Sequence, residues 1–169
     1  MIGDRWGVTP IETARHYPCD EIVPEPALEM WRGVTARARP EQVWPWVAQI
    51  RVAPYSYDWI DNLGRRSPPR LAELPEPVAG EHFTTAFGGR PAGRILAVTA
   101  GEDLTAKIMG AVLSYVLVPD GPSTRLLLKV VMEGRRLLAP LLSVGDLVMA
   151  RRQLLNLARL AEHTNDGAC

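Results

Sequence analysis

Residues 40–69 read PEQVWPWVAQIRVAPYSYDWIDNLGRRSPP and hold three of the five Trp and two of the four Tyr of this 169-residue chain. The first half reads as a helix. Pro40 suits a first helical position, where the N–H that proline lacks would have no partner in any case. Val43, Trp46, Val47 and Ile50 recur at i, i+3, i+4 and i+7 and make one apolar face. Pro45 removes a backbone bond inside that helix, so a kink or an irregular first turn is expected. Ala53-Pro54 ends it. Tyr55 to Leu63 reads as a second short helix, stopped by Gly64. Asp58 and Asp61 stand at i and i+3 among its aromatics, which puts both carboxylates on one side of a turn.

Toward the N-terminus, Trp31 to Ala38 reads as the first strand, with Val34 and Ala36 alternating against Thr35 and Arg37. Residues 1–29 form an arm before it. Thr9-Pro10-Ile11-Glu12 is a capping box, so a short helix should run to about His16 and stop at Tyr17-Pro18. The segment CDEIVPEPALEM (19–30) reads as extended and punctuated by proline. Trp6, Ile11, Ile22 and Val23 give the arm enough apolar surface to pack on the body.

Toward the C-terminus, prolines at 68, 69, 75 and 77 make 65–80 a surface crossing. Strands are expected at Glu81–Phe87, turned by Gly88-Gly89, and at Arg94–Thr99, Thr105–Met109, Leu113–Val118 and Thr124–Glu133. ProAspGlyPro (119–122) separates the last two. In the last strand Leu126, Leu128, Val130 and Met132 face the interior; Arg125, Lys129 and Glu133 lie on the other face with Leu127 and Val131. The short turns imply an antiparallel meander. Residues 135–144, broken by Pro140, read as a loop or turn. Gly145 to about His163 is the closing helix, with Leu147, Ala150, Leu154, Leu157 and Ala161 as its inner stripe. No further boundary divides the chain: one domain over 30–163 follows the arm, and 164–169 is a tail.

Four segments carry a family resemblance: WRGVTARA (31–38), VWPWVAQ (43–49), APYSYDWIDNLGRRSP (53–68) and GDLVMARRQLLNLARLAE (145–162). Together they resemble the START-like superfamily, also called SRPBCC or polyketide cyclase/dehydrase, and in particular its small bacterial members. The resemblance spans residues 30 to 163. It implies an α+β helix-grip fold: a curved antiparallel sheet around a long C-terminal helix, two short helices after the first strand, and a cavity between sheet and helix. Relatives include aromatic cyclases, dehydratases, lipid carriers, hormone receptors and plain binding proteins, so the resemblance implies a fold and leaves the reaction open.

Composition narrows the partners. A formal net charge of zero argues against a nucleic-acid binder and against a polybasic membrane anchor. All basic residues but Lys107 and Lys129 are arginine. Cys19 and Cys169 sit near opposite ends; a long-range disulfide is one reading, and two free thiols in a reducing cytosol is the preferred one. No apolar run approaches the ~18 residues of a membrane span, and MIGDRWGVTP has no apolar core of a signal peptide. A cytoplasmic protein is expected, as a monomer or a homodimer.

No metal site is visible, because His16, His82 and His163 are far apart and no HxxxH or CxxC spacing occurs. No GxSxG, GxGxxG or phosphate-loop pattern is present, and no cofactor is expected. Asp58 is the catalytic candidate: buried beside Trp59 and Tyr57, its carboxyl would be pushed up by desolvation and could exchange protons near neutral pH. The structural alternative is that Asp58 or Asp61 caps a helix or pairs with Arg65 or Arg66. Trp44, Trp46, Tyr55, Tyr57 and Trp59 either fill core or line the cavity. Tyr115 and His82 sit mid-strand and could supply polar handles. The expected ligand-contacting set is Trp46, Tyr55, Tyr57, Trp59, Asp61, His82 and Tyr115. The first functional reading is a module binding a small hydrophobic or aromatic molecule. The second is a cyclase or dehydratase acting on a polyketide-like or aromatic intermediate, with the cavity folding the chain and excluding water. A third is an interaction module with a filled core.

Overall fold

The computed structural model describes residues 4–56, 66–86, 89–133 and 139–166, with side chains of the last range described from Met149 to Thr164. The second short helix expected after Tyr55 falls on 57–65, outside the described residues. The order of elements is β1 (Arg5–Trp6), α1 (Pro10–Thr13), α2 (Pro18–Ile22), β2 (Leu28–Ala36), α3 (Pro40–Ala48), a 3-10 turn (Gln49–Arg51), β3 (Thr84–Ala86), β4 (Arg90–Ala92), β5 (Arg94–Thr99), β6 (Asp103–Ile108), β7 (Ala111–Asp120), β8 (Ser123–Met132) and α4 (Ala139–Asp166).

Six strands form one sheet in the order β1-β2-β8-β7-β6-β5, and β3-β4 form a separate hairpin. From β2 to β5 every pairing is antiparallel. The long central hairpin pairs Ala111 with Met132 at one end and Asp120 with Ser123 at the other. Its turn needs Gly121, whose φ of 59° lies in the left-handed region where a Cβ clashes. The helix-grip arrangement is present: α3 and α4 lie on one face of the sheet, and both contact β2 or its neighbours as well as each other.

Helix α3 follows from its sequence. Pro40 starts it, and the Arg39 N–H donates to Gln42 Oε1 at 2.9 Å, closing the first turn. Val43, Trp46, Val47 and Ile50 are all buried, as their spacing required. The helix runs on through Pro45 to Ala48. The closing helix is longer than the apolar stripe suggested. It begins at Ala139, so Pro140 sits in its first turn, where a missing N–H costs no intrahelical bond. Ala150, Leu154, Leu157 and Ala161 are buried against the sheet, joined by Ala158.

The arm is the main departure from the expected architecture. Arg5–Trp6 adds an edge strand parallel to β2, pairing Arg5 with Trp31 and Trp6 with Arg32, so the sheet is mixed rather than wholly antiparallel. A Cβ on Gly7 would stand 2.2 Å from the Gly33 carbonyl oxygen, so only glycine lets the chain pass here. The Thr9/Glu12 capping box forms, and α1 ends early, at Thr13. Residues 19–22, expected to be extended, belong to the helix α2, because Pro18 fits its first position and the Tyr17 N–H donates to Asp20 Oδ2 at 3.0 Å.

This arm covers the outer face of the sheet and builds a second core from Tyr17, Cys19, Val23, Trp31, Val112 and Leu127. Strand β8 is therefore buried on both faces: Leu126, Leu128 and Val130 enter the main core, Leu127 and Val131 the second. Lys129, read from alternation as an outward residue, is 5% exposed. The arm is tied down by polar contacts also. Glu12 takes both Arg125 Nε and Nη2, at 2.7 and 3.0 Å, and the Cys19 N–H donates to Ser114 Oγ at 2.9 Å.

Candidate functional site: a cavity between sheet and closing helix

The inner faces of β7 and β8 bring Leu113, Tyr115, Leu128 and Val130 toward α4, and α4 answers with Ala150 and Gln153. Between them lies a cavity of ≈ 200 Å³. Ala150 is small, so the helix leaves room there. Phe83 closes one side, its ring stacked on Tyr115 with centroids 6.2 Å apart. The β6–β7 turn forms the mouth, where Met109 is 83% exposed and held at φ 49°.

Most of this wall is apolar. Its polar members are Ser56, Thr84, Tyr115 and Gln153; the Thr84 hydroxyl donates to the Ile50 carbonyl at 2.8 Å, and Tyr115 and Gln153 are a buried pair. The Tyr115 hydroxyl donates to Gln153 Oε1, and Gln153 Nε2 donates to the Pro54 carbonyl at 2.6 Å. That chain fixes the hydroxyl's direction and ties α4 to the segment after the 3-10 turn. A mostly apolar cavity with a few placed polar groups is the usual form of a small-molecule site.

The residues named from sequence divide into three groups. Tyr115 lines the cavity. Trp46 and Tyr55 do not; they pack edge to face, 6.1 Å apart at 85°, nearer the C-terminal end of α4, where Trp46 Nε1 donates to Thr164 Oγ1 at 3.1 Å. His82, named as a ligand contact that could point inward, with an exposed position as the other reading, is exposed. The strand begins only at Thr84, and Phe83 takes the inward direction that His82 would have needed. Tyr57, Asp58, Trp59 and Asp61 lie outside the described residues. Gln153 was missed. Its signal was present: a glutamine three residues after Ala150, interrupting an apolar stripe.

Perturbed titrating groups cluster elsewhere, beneath the arm. Burial pushes the Tyr17 phenol up to about 12 and the Cys19 thiol up to about 11. Burial works against the Lys129 ammonium, but its hydrogen bonds to Asp20 and Glu29 outweigh that and hold its pKa above the ordinary lysine value. Tyr17 and Cys19 belong to the second core beneath the arm, and Lys129 is buried beside them. Among the described residues no group of His, Cys, Asp and Glu could hold a metal ion, and no helix is long and apolar enough to cross a membrane.

No family model matches this chain, and no curated protein does. Solved structures do. Protein MLL2253 of Mesorhizobium loti superposes with a TM-score of 0.55 at 17% identity, over 80% of this chain and 98% of that one. The polyketide-cyclase-like protein Cgl2372 of Corynebacterium glutamicum gives 0.53 at 13% identity, over 86% and 98%. Protein NE0264 of Nitrosomonas europaea gives 0.51 at 14% identity, over 82% and 96%. At such identities the likeness establishes the fold alone: this chain shares the α+β helix-grip architecture of these structures. Function has to be argued from the cavity.

Proposed function

We propose that this protein binds a small hydrophobic or aromatic molecule in the cavity between the sheet and α4. The observation that carries the reading is the cavity itself: ≈ 200 Å³ of space walled mainly by apolar side chains, with the hydrogen-bonded Tyr115–Gln153 pair as a polar handle. That volume lies below the ~300–1,000 Å³ of drug-sized pockets and suits a ligand of one or two rings. The Phe83–Tyr115 stack offers an aromatic wall for such a ring.

One observation favours a catalytic variant of the same reading. The Tyr115 hydroxyl, oriented by Gln153, is placed to hold or move a proton on a bound polyketide-like or aromatic intermediate. The likeness to the polyketide-cyclase-like protein of Corynebacterium glutamicum is in keeping with this. Asp58 stays the other candidate for proton transfer in that variant.

A thermal-shift panel tests the binding reading. A ligand at about 100 times its Kd adds roughly 2.7 kcal/mol, which for a domain of this size raises Tm by roughly 5–10 °C. Compact one- and two-ring neutral compounds should give that rise. A flat response across aromatic compounds and lipids alike overturns it.

A further inference from the structure

A second concavity runs along the far end of α4, apart from the cavity. Two hollows of ≈ 190 and ≈ 320 Å³ meet at Pro69 and Leu160. One wall is a single helix face, since Asn156, Arg159, Leu160, His163 and Thr164 recur at i, i+3, i+4, i+7 and i+8. The opposite wall is the proline-rich crossing at 67–71. Trp46 and Tyr55 form the floor.

This groove is built rather than incidental. Gln49, 1% exposed, donates to the Arg70 carbonyl at 2.9 Å and accepts from the Ala72 N–H at 2.7 Å. The crossing is thereby held at a fixed distance from α3. Asn156 Nδ2 donates to the Tyr55 carbonyl at 2.9 Å, and Trp46 reaches Thr164, so floor and helix wall are also joined.

Its charge is one-sided. Arg159 lines one hollow and Arg70 the adjoining one, and no described residue of either lining is a carboxylate. Three other cationic side chains are paired: Arg51 with Glu81, Arg125 with Glu12, and Lys129 with Asp20 and Glu29. Arg70 and Arg159 have no side-chain hydrogen bond or ion pair among the described residues. The C-terminal end of a helix carries roughly half a negative charge, which works against an anion here. Two full guanidinium charges outweigh that.

We propose that this groove is a second binding site, for a small organic anion: a carboxylate or phosphate carried on an apolar or aromatic body. The anion meets Arg70 and Arg159, which present the planar, forked donors suited to oxyanions. The body lies over Leu160 and the Pro69 ring. The assignment does not depend on what the inner cavity binds.

The test is an NMR titration of the full chain with 2-naphthyl phosphate, and with neutral 2-naphthol as control. The phosphate should shift the Arg70, Leu160 and Thr164 amides saturably. Added salt should weaken it, and the R70Q/R159Q double variant should bind about tenfold or more weakly. 2-Naphthol should leave these amides unmoved. Undiminished affinity in the double variant overturns the proposal. So does a response confined to inner-cavity residues such as Leu113 and Leu128, or no response at Leu160 and Thr164. Should R70Q/R159Q fail to fold, the same loss is read from Arg159→Gln alone.

Discussion

Lys129 Nζ on β8 lies 2.6 Å from Asp20 Oδ1 on the arm helix α2. The lysine side chain is 6% exposed, and its ammonium also meets Glu29 at 2.9 Å and sits 5.1 Å over the Trp31 ring. A charge in the middle of a central strand is thus tolerated because the arm brings a carboxylate to it. Asp20 has a second duty, accepting from the Tyr17 N–H at the start of α2. Asp20→Asn should therefore loosen the arm and cost about 1–3 kcal/mol, less than a fully buried pair because Glu29 remains and Asp20 keeps some exposure. Lys129→Met should cost less, since it removes the buried charge along with its partner's attraction. Urea unfolding of both variants decides it. Because the folded pKa of Lys129 is raised, its contribution is complete below the ordinary value of 10.5 and is lost as pH rises through the higher folded value.

Glu12 ties the other end of the arm. Its hydrogen bond with Arg125 holds the carboxyl below the ordinary value of 4.5. The contribution is therefore present above pH 4.5 and is lost as pH falls through the lower folded value. Acid should release the arm, seen as faster amide exchange at the β1–β2 pairing. Glu12→Gln should show that exchange already at neutral pH and lose most of its acid dependence. A variant that keeps slow exchange at neutral pH would remove this tie from the account.

Cys19 reports the same opening chemically. Its thiol is buried and pushed up to about 11, so at neutral pH almost none is thiolate. In a Cys169→Ser background it should resist thiol reagents until the arm lifts. Asp20→Asn and Glu12→Gln should each speed labelling. Rapid labelling of the unsubstituted arm would show that its cover over Ser114 and Leu127 is not closed in solution.

Tyr115→Phe leaves Gln153 Oε1 in the cavity wall without the hydroxyl that it accepts from. The expected cost is about 1–3 kcal/mol, the range for a stranded buried acceptor. Ligands that rely on the hydroxyl should also bind more weakly, while purely hydrocarbon rings should bind as before. Equal losses for both ligand types would mean that the substitution reshapes the cavity instead of removing a contact.

Much of the fold was legible. Strand β5 occupies the residues its pattern marked, Arg94–Thr99, and Ala150, Leu154, Leu157 and Ala161 of α4 are buried where 3.6-residue spacing put them, while the side chain of Leu147 lies outside the described residues. What escaped depended on distant partners. A two-residue strand such as Arg5–Trp6 has no periodicity to read; only its pairing with Trp31 and Arg32 makes it a strand. Lys129 looked solvent-facing because alternation gives a side of the sheet and says nothing of what covers that side. Pro18 and Pro140 were read as breakers, yet both stand in the first turn of a helix, where proline is at home. At the cavity, the inward direction of Tyr115 was legible from its mid-strand position, whereas Gln153 showed in the sequence only as a polar break in an apolar stripe, and its bond to Tyr115 needed α4 laid against β7.

The central claim is that the space beneath α4 receives a ligand. Its most direct test is methyl NMR of Leu113, Leu128 and Val130 during titration with 2-naphthol, on the natural chain and on Ala150→Phe, which fills the cavity. The account predicts saturable shifts of these methyls in the natural chain and their loss in a folded Ala150→Phe. Methyls that never respond, or that respond equally in the filled variant, would contradict it.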